Sequence, residues 1–330
     1  MTAGACILGC AGTRLGAGEA AFFREADPWG FILFSRNVDT PEQLRRLTDD
    51  LRGSVGRDAP ILIDQEGGRV QRLRPPYWRP WSPPLDHVRA AGAAAERAMY
   101  LRSRLMADEL HALGIDVNCA PSADVARPET HPFLANRCYG SEPGLVAGIA
   151  RAVAQGLLAG GVLPVLKHIP GHGRGTRDSH LALPVVSATR RDLEAEDFAP
   201  FAALADLPMA MTAHIVYGAL DESPATQSRS VIALIREQIG FGGLLMTDDI
   251  SMEALGGSIA VRSRAAMDAG CDLILHCNGE RPEMEEAVSE AGRFSAAAAA
   301  RADQALAMRA APDDADIAAL ERELDALLAG

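Results

Sequence analysis

Eight short apolar runs alternate with longer stretches of helical periodicity along the whole chain. The runs are "ACILG" at 5–9, "GFILF" at 30–34, "PILID" at 60–64, "GIDVNCA" at 114–120, "VLPVLKH" at 162–168, "PMAMTAH" at 208–214, "GLLMTD" at 243–248 and "CDLILHC" at 271–277. Between them the apolar spacing predicts helices near 41–53, 90–112, 142–159, 189–205, 229–239, 258–269 and 281–311, and a closing helix over about 315–329. The runs are nearly continuous in apolar residues, which is what strands need when helices cover both faces of a parallel sheet.

Strands alternating with helices read as βα units. Eight such units predict closure into a single (β/α)8 barrel of the TIM type over residues 1–330. Its first strands are expected to be irregular, and the C-terminal helices of about 281–329 to pack on it. An open, doubly wound sheet is the alternative. It would carry a glycine fingerprint after its first strand, but "GCAGTRLGAGEA" at 9–20 matches neither GxGxxG nor a Walker A loop and reads as a plain loop.

Polar residues collect where the runs end: Ser35-Arg36-Asn37, Asp64-Gln65-Glu66, Asn118, Lys167-His168, His214, Thr247-Asp248-Asp249 and His276-Cys277-Asn278. In a barrel the carboxyl ends of the strands converge on one mouth, where active sites are built. One polar strand end is ordinary solvation; seven together point to a catalytic mouth.

Composition narrows the partners. With 48% hydrophobic residues, 23% charged residues and a formal net charge of −12, the chain has the means to fold and lacks the clustered basic surface that nucleic acid requires. A small substrate, neutral or locally steered, fits better. The six cysteines, Cys6, Cys10, Cys119, Cys138, Cys271 and Cys277, have neither CxxC spacing nor the density of a secreted scaffold, so reduced thiols in a cytoplasmic protein are expected. The opening "MTAGACILGCAG" has no basic n-region, and the longest apolar candidate, 143–166, is interrupted by Arg151, Gln155 and several glycines, so no membrane span is expected.

The segment "KHIPGHGRGTRDSH" at 167–180 admits three chemistries. A metal site would use His168, His172, Asp178 and His180, but Pro170 and Gly171 forbid the helix on which histidines four apart share a face. A phosphate cradle would lead its glycines into a helix, whereas "TRDSHLALP" runs extended into Pro184. In an extended backbone Asp178 and His180 share a side, and a carboxylate on one ring nitrogen leaves the other free to exchange a proton. That is an acid–base dyad on a mobile loop, or else a loop staple with no chemistry. Asp248 ends a buried apolar strand, where a carboxylate needs partners or a task, and is the candidate nucleophile. Asp249 alternates away from the mouth and reads as structural.

Taken in order, "GFILFSRN" at 30–37, "LIDQEGGRVQRL" at 62–73, "NRCYG" at 136–140, "KHIPGHG" followed by "DSH", and "LLMTDDISM" at 244–252 resemble glycoside hydrolase family 3, and within it the single-domain, NagZ-type β-N-acetylhexosaminidases. The resemblance spans about residues 28–280; Cys138-Tyr139 depart from the small residue and Phe that the family often shows. It implies Asp248 as nucleophile, His180 supported by Asp178 as general acid/base, and Asp64, Arg72, Arg137, Lys167 and His168 as binders of a terminal N-acetylglucosamine. Glu66 and Arg36-Asn37 read as structural. Read without the resemblance, Asp64 and Arg72 form a strand-end ion pair, Arg137 tethers a loop, and Lys167-His168 is a solvated mouth. The implied enzyme is a retaining exo-β-N-acetylglucosaminidase acting on cell-wall muropeptide fragments in cytoplasmic peptidoglycan recycling, a monomer without metal or cofactor, whose loop 169–180 closes over the sugar. The competing expectations are a phosphorylase releasing a sugar 1-phosphate, a metal-dependent amidohydrolase on the same barrel, and a non-catalytic sugar-binding protein.

Overall fold

The structure, a computed structural model, describes residues 2–177 and 182–329. All eight apolar runs form strands: β1 Gly4–Gly9, β2 Pro28–Leu33, β3 Ile61–Ile63, β4 Val117–Asn118, β5 Leu163–Ile169, β6 Met209–Thr212, β7 Leu244–Asp249 and β8 Leu273–His276. They close into one barrel in chain order, with β8 returning to β1 and every neighbouring pair parallel. The expected irregularity of the first strands is a register shift between Gly4 and Ile7 where β1 meets β2. Ile7, Ile32, Leu62, Val117, Val165, Leu245 and Ile274 are fully or almost fully buried, as two covered faces require.

Two further register shifts shape the mouth. On β5, Leu166 to Ile169 oppose Ala210 to Thr212 of β6, three steps against two. On β7, Met246 to Asp249 likewise oppose Leu273 to Leu275 of β8. An extra residue in one strand breaks the strict alternation of sides and re-aims the side chains around it. Lys167 and His168 therefore both reach the central cavity, and so do Asp248 and Asp249. The expectation that Asp249 points away from the mouth is corrected by this bulge.

The helices follow the expected periodicity with local breaks. The stretch at 9–20 is only partly a loop, because Ala17–Ala26 is helical and buries Phe22, Phe23 and Ala26. Phe23 meets Phe31 of β2 edge-on at 5.0 Å, and this packing outweighs the weak propensity of Gly18. The helices expected at 90–112 and 281–311 are each interrupted after a glycine in the left-handed region, Gly92 and Gly292, giving Pro84–Ala91 with Ala95–His111 and Arg281–Ala291 with Ala296–Ala307. The stretch 189–205 breaks into Arg190–Asp192, a π-turn at Leu193–Asp197 and Ala199–Ala203; Pro200, with no N–H to donate, prevents a continuous ladder. At the C-terminus, Ile317–Ala329 packs on Ala95–His111, and Arg281–Ala291 packs on Ile259–Ala269 and β1. No helix among the described residues is long and apolar enough to cross a membrane.

The loops after β4 and β5 touch through backbone. A Cβ at Gly173 would lie 1.9 Å from the carbonyl oxygen of Val125, so only glycine fits there. Gly173→Ala is expected to force these loops apart and destabilise the protein by about 1–3 kcal/mol, seen as a lower melting temperature. An unchanged melting temperature would remove this contact as the determinant of loop geometry.

Candidate active site

The chain after β3 turns straight back on itself. Gln65–Gly67 pairs antiparallel with Val70–Gln71, and the Gln65 side-chain oxygen accepts from the N–H groups of Arg72 and Leu73 at 2.9 and 3.1 Å. Asn118 on β4 bonds the Gln65 backbone in both directions, each at 3.0 Å. This hairpin brings Arg72 to Asp64, where its guanidinium donates at 3.1 Å.

Lys167 joins that pair to a second one. Its ammonium lies 2.8 Å from Asp64 and 2.6 Å from Glu66, with the lysine side chain 2% exposed. Glu66 in turn takes a two-pronged bond from Arg137, at 2.9 and 2.7 Å. Burial by itself would raise both carboxyls, but Lys167 and Arg72 hold Asp64 well below the usual carboxylate range, and Arg137 and Lys167 hold Glu66 at about 2. Burial pulls Lys167 down and the two carboxylates more than restore it, so the ammonium stays charged; Glu66 does the same for Arg137.

Three histidines flank this network. His168 Nδ1 lies 2.7 Å from Asp124, whose carboxylate accepts a hydrogen bond from the ring N–H there, leaving Nε2 turned to Arg137 at 3.5 Å. Burial would raise Asp124, but His168 holds it below its ordinary value. The other Asp124 oxygen accepts from the backbone N–H of His172 at 2.6 Å. His214 donates to the carbonyl of Asp249 at 3.0 Å and bonds Thr226 through its other nitrogen at 2.7 Å, fixing the end of β7 from below. Burial lowers its pKa and keeps the ring neutral.

Asp64, Arg72, Arg137, Lys167, His168 and Asp248 line one cavity of about 360 Å³, a volume suited to a small ligand. The other two candidates from the sequence, Asp178 and His180, lie outside the described residues, which include 169–177 of the loop expected to close. Asp249 lines the same cavity and caps its own turn, accepting from Ser251 at 2.8 Å and from the Cys277 N–H at 3.2 Å. Apolar walls come from Phe34, Phe133, Met211, Met252 and Leu275. Arg69 lies over the Phe133 ring at 3.7 Å. Reading strand ends overlooked Asp124, which lies six residues past Asn118, and the aromatic walls; Asp124 follows a strand on the mouth side, a signal that a longer reading of that end would have caught. Among the described residues no group of three or more His, Cys, Asp or Glu side chains is arranged to hold a metal ion.

The cavity thus offers donors on Lys167, Arg72 and Arg137, acceptors on Asp64 and His168 Nε2, a carboxylate on Asp248, and apolar faces. Paired donors and acceptors recognise a neutral polyol, whose hydroxyls do both.

Comparison with known proteins agrees. Residues 24–307 match the description "Glycosyl hydrolase family 3 N terminal domain". A beta-hexosaminidase of Alkalilimnicola ehrlichii is 41% identical over 295 residues, covering 87% of this chain and 84% of the relative. NagZ from Neisseria gonorrhoeae superposes with a TM-score of 0.84 at 30% identity, covering 100% of this chain and 97% of that one. The same protein in complex with N-trifluoroacetyl-D-glucosamine matches with a TM-score of 0.84 at 31% identity, with the same coverage of both chains.

Glu66 supplies a test of the network. With its folded pKa at about 2 against an ordinary 4.5, the charged carboxylate stabilises the fold fully above pH 4.5, and this stability is lost as pH falls towards 2. Glu66→Gln is expected to cost about 3 kcal/mol or more at neutral pH, because two buried cations lose a counter-charge, and to flatten the decline of stability below pH 4.5. Denaturant melts across pH 2–7 measure both; a slope identical to the parent's would contradict the assignment.

Proposed function

We propose, for a chain that belongs to glycosyl hydrolase family 3 and is a glycoside hydrolase of its β-hexosaminidase branch, that it is a retaining exo-β-N-acetylglucosaminidase with Asp248 as its nucleophile. The observation that carries this reading is the meeting of Asp248 with the Asp64–Lys167–Arg137 network in one cavity at the carboxyl ends of the strands. Asp64, Arg72, Arg137, Lys167 and His168 hold the terminal sugar through its hydroxyls and amide. The sugar complex of the gonococcal NagZ supports N-acetylglucosamine as that unit.

Retaining glycosidases ordinarily use two carboxylates about 5 Å apart. Here one is Asp248 and the second role falls to His180, oriented by Asp178. His180 gives its proton to the glycosidic oxygen while Asp248 attacks the anomeric carbon; the bond to the leaving group breaks and a glycosyl ester forms. Water then gives a proton back to His180 and attacks the same carbon, releasing N-acetylglucosamine and restoring the Asp248 carboxylate. An imidazole, with an ordinary pKa of about 6.5, suits a group that must first donate and then accept at neutral pH. On this reading residues 1–330 act as one catalytic unit, a cytoplasmic monomer that trims muropeptide fragments, and the chemistry needs neither metal nor cofactor.

Asp248→Ala is expected to lower kcat on an aryl N-acetyl-β-glucosaminide by about a thousandfold or more. Activity near the parent's would hand the nucleophile's role to the substrate's own acetamido group. His180→Ala is expected to lose about a hundredfold to ten-thousandfold on a disaccharide and far less on a 2,4-dinitrophenyl glycoside, whose leaving group needs no proton. Equal losses would remove His180 as the acid.

The product with phosphate present decides between hydrolase and phosphorylase. An imidazole acid/base does not repel phosphate as a carboxylate does, so phosphorolysis is chemically open. Free N-acetylglucosamine is expected with or without phosphate; N-acetylglucosamine 1-phosphate in its place would overturn the hydrolase.

A further inference from the structure

His172 lies in the "KHIPGHG" stretch and has no part in the chemistry above. Its side chain lines the active-site cavity, yet the residue is only 4% exposed and neither ring nitrogen has a hydrogen-bond partner among the described residues. Every other constraint on it is firm. Its backbone N–H is bound by Asp124, its ring meets the His168 ring edge-on at 5.7 Å, and its carbonyl accepts from Gly175 at 2.9 Å. Gly175 leaves room for the ring: a Cβ there would lie 2.8 Å from His172 Nδ1 and Cε1. The surrounding stretch is pinned by Tyr217 on the Gly171 carbonyl, by Thr130 on that of Gly173 and by His131 on that of Gly175.

A phenyl ring would fill this place without leaving a donor and an acceptor unmet. Burial and the neighbouring His168 push the imidazole down to about 4, so at neutral pH it carries one N–H and one bare nitrogen. Buried polar atoms without partners are rare, and each calls for a cause such as strain, a chemical role or a bound water, ion or ligand. Arg72 Nε, the other unmet nitrogen in the cavity wall among the described residues, belongs to a guanidinium already engaged by Asp64. His172 has no such engagement. An occupied cavity would supply those partners, because a pyranoside brings hydroxyl and amide groups that both donate and accept, and a modest turn of the ring about its broad χ2 well presents a nitrogen to them.

We propose that His172 is a further sugar-binding residue, whose neutral imidazole hydrogen-bonds a hydroxyl or the amide of the N-acetylglucosamine held by Asp64, Lys167 and Arg137. This rests on the reading of the cavity as an N-acetylglucosaminidase site. The bond forms in the ground state and persists through the reaction, so its loss raises KM and leaves kcat nearly unchanged.

The test compares the parent with His172→Phe, His172→Ala and His172→Gln, using 4-nitrophenyl N-acetyl-β-D-glucosaminide for kinetics and thermal melts for folding. His172→Phe is expected to melt at or above the parent's temperature, since two unmet polar atoms are gone, while KM rises about tenfold or more. His172→Ala shares the KM increase, which excludes simple blockage by the larger ring, and His172→Gln, keeping a donor and an acceptor, recovers part of it. Parent-like KM in either Phe or Ala overturns the proposal, whatever the melting temperature. A parent that releases no nitrophenol overturns the glycosidase reading and this inference together; an active parent with unchanged variants overturns this one alone.

Discussion

The Lys167 ammonium, enclosed between Asp64 and Glu66 and withdrawn from water, is the interaction on which the mouth of the barrel depends. An ion stripped of its hydration costs several kcal/mol unless partners replace the water, and removing one partner of such a set exposes the rest. Here the partners arrive from separate parts of the chain. Asp64 follows β3, Glu66 lies in the hairpin after it, Arg72 closes that hairpin, Lys167 comes from β5, and Arg137 follows the short helix Pro132–Ala135. The charges can be satisfied only if the loops after β3 and β4 take their places beside Lys167 of β5 together. The binding surface and this third of the barrel rim are one cooperative unit.

Backbone irregularity does what a regular strand does not. Consecutive residues on an ideal strand face opposite sides, so one of Lys167 and His168 would be lost to the cavity, and one of Asp248 and Asp249. The register shifts on β5 and β7 recover both pairs. They also divide the work. Lys167 turns to the carboxylates while His168 is held by Asp124, and Asp249 secures the following turn beside the Asp248 carboxylate. Asp124 is shared in the same spirit, one oxygen for His168 and one for the backbone of His172, so two neighbouring histidines take their positions from a single buried anion.

The architecture was legible because parallel strands covered on both faces must be apolar almost without interruption, and runs such as "GFILF" and "CDLILHC" announce themselves. The helix at Ala17–Ala26 was hidden because its order comes from Phe22 and Phe23 packing on the core, a tertiary effect, while the stretch that leads into it, 9–18, is rich in glycine. The ends of helices at Gly92 and Gly292 were missed because periodicity continues across them while the backbone does not. In the site, charged residues at strand ends were readable one by one, but the alternation rule misplaced Asp249, since a bulge has no signature in composition. Asp124 escaped because it acts six residues past the nearest strand-end residue considered. His172 was weighed only as a metal ligand; that both its nitrogens lack partners among the described residues is a property of packing, invisible in the order of residues.

Charge balance connects this network to the proposed reaction. The transition state of glycosidic cleavage gathers positive charge near the anomeric carbon. A mouth with Lys167, Arg72 and Arg137 unopposed would resist that charge however well it bound hydroxyls. Asp64 and Glu66 remove most of the conflict: two carboxylates stand against three cations, and the remaining positive charge faces Asp248 in the same cavity. Glu66 does not line the cavity, yet it allows Arg137 and Lys167 to serve as donors without acting as a repulsive field. The net charge of −12 over the whole chain is in keeping with this, since a neutral sugar is selected by directed hydrogen bonds and has no use for long-range attraction. Donor strength and near-neutrality are thus obtained from the same five side chains together with Asp248, and Glu66 is the member that reconciles them.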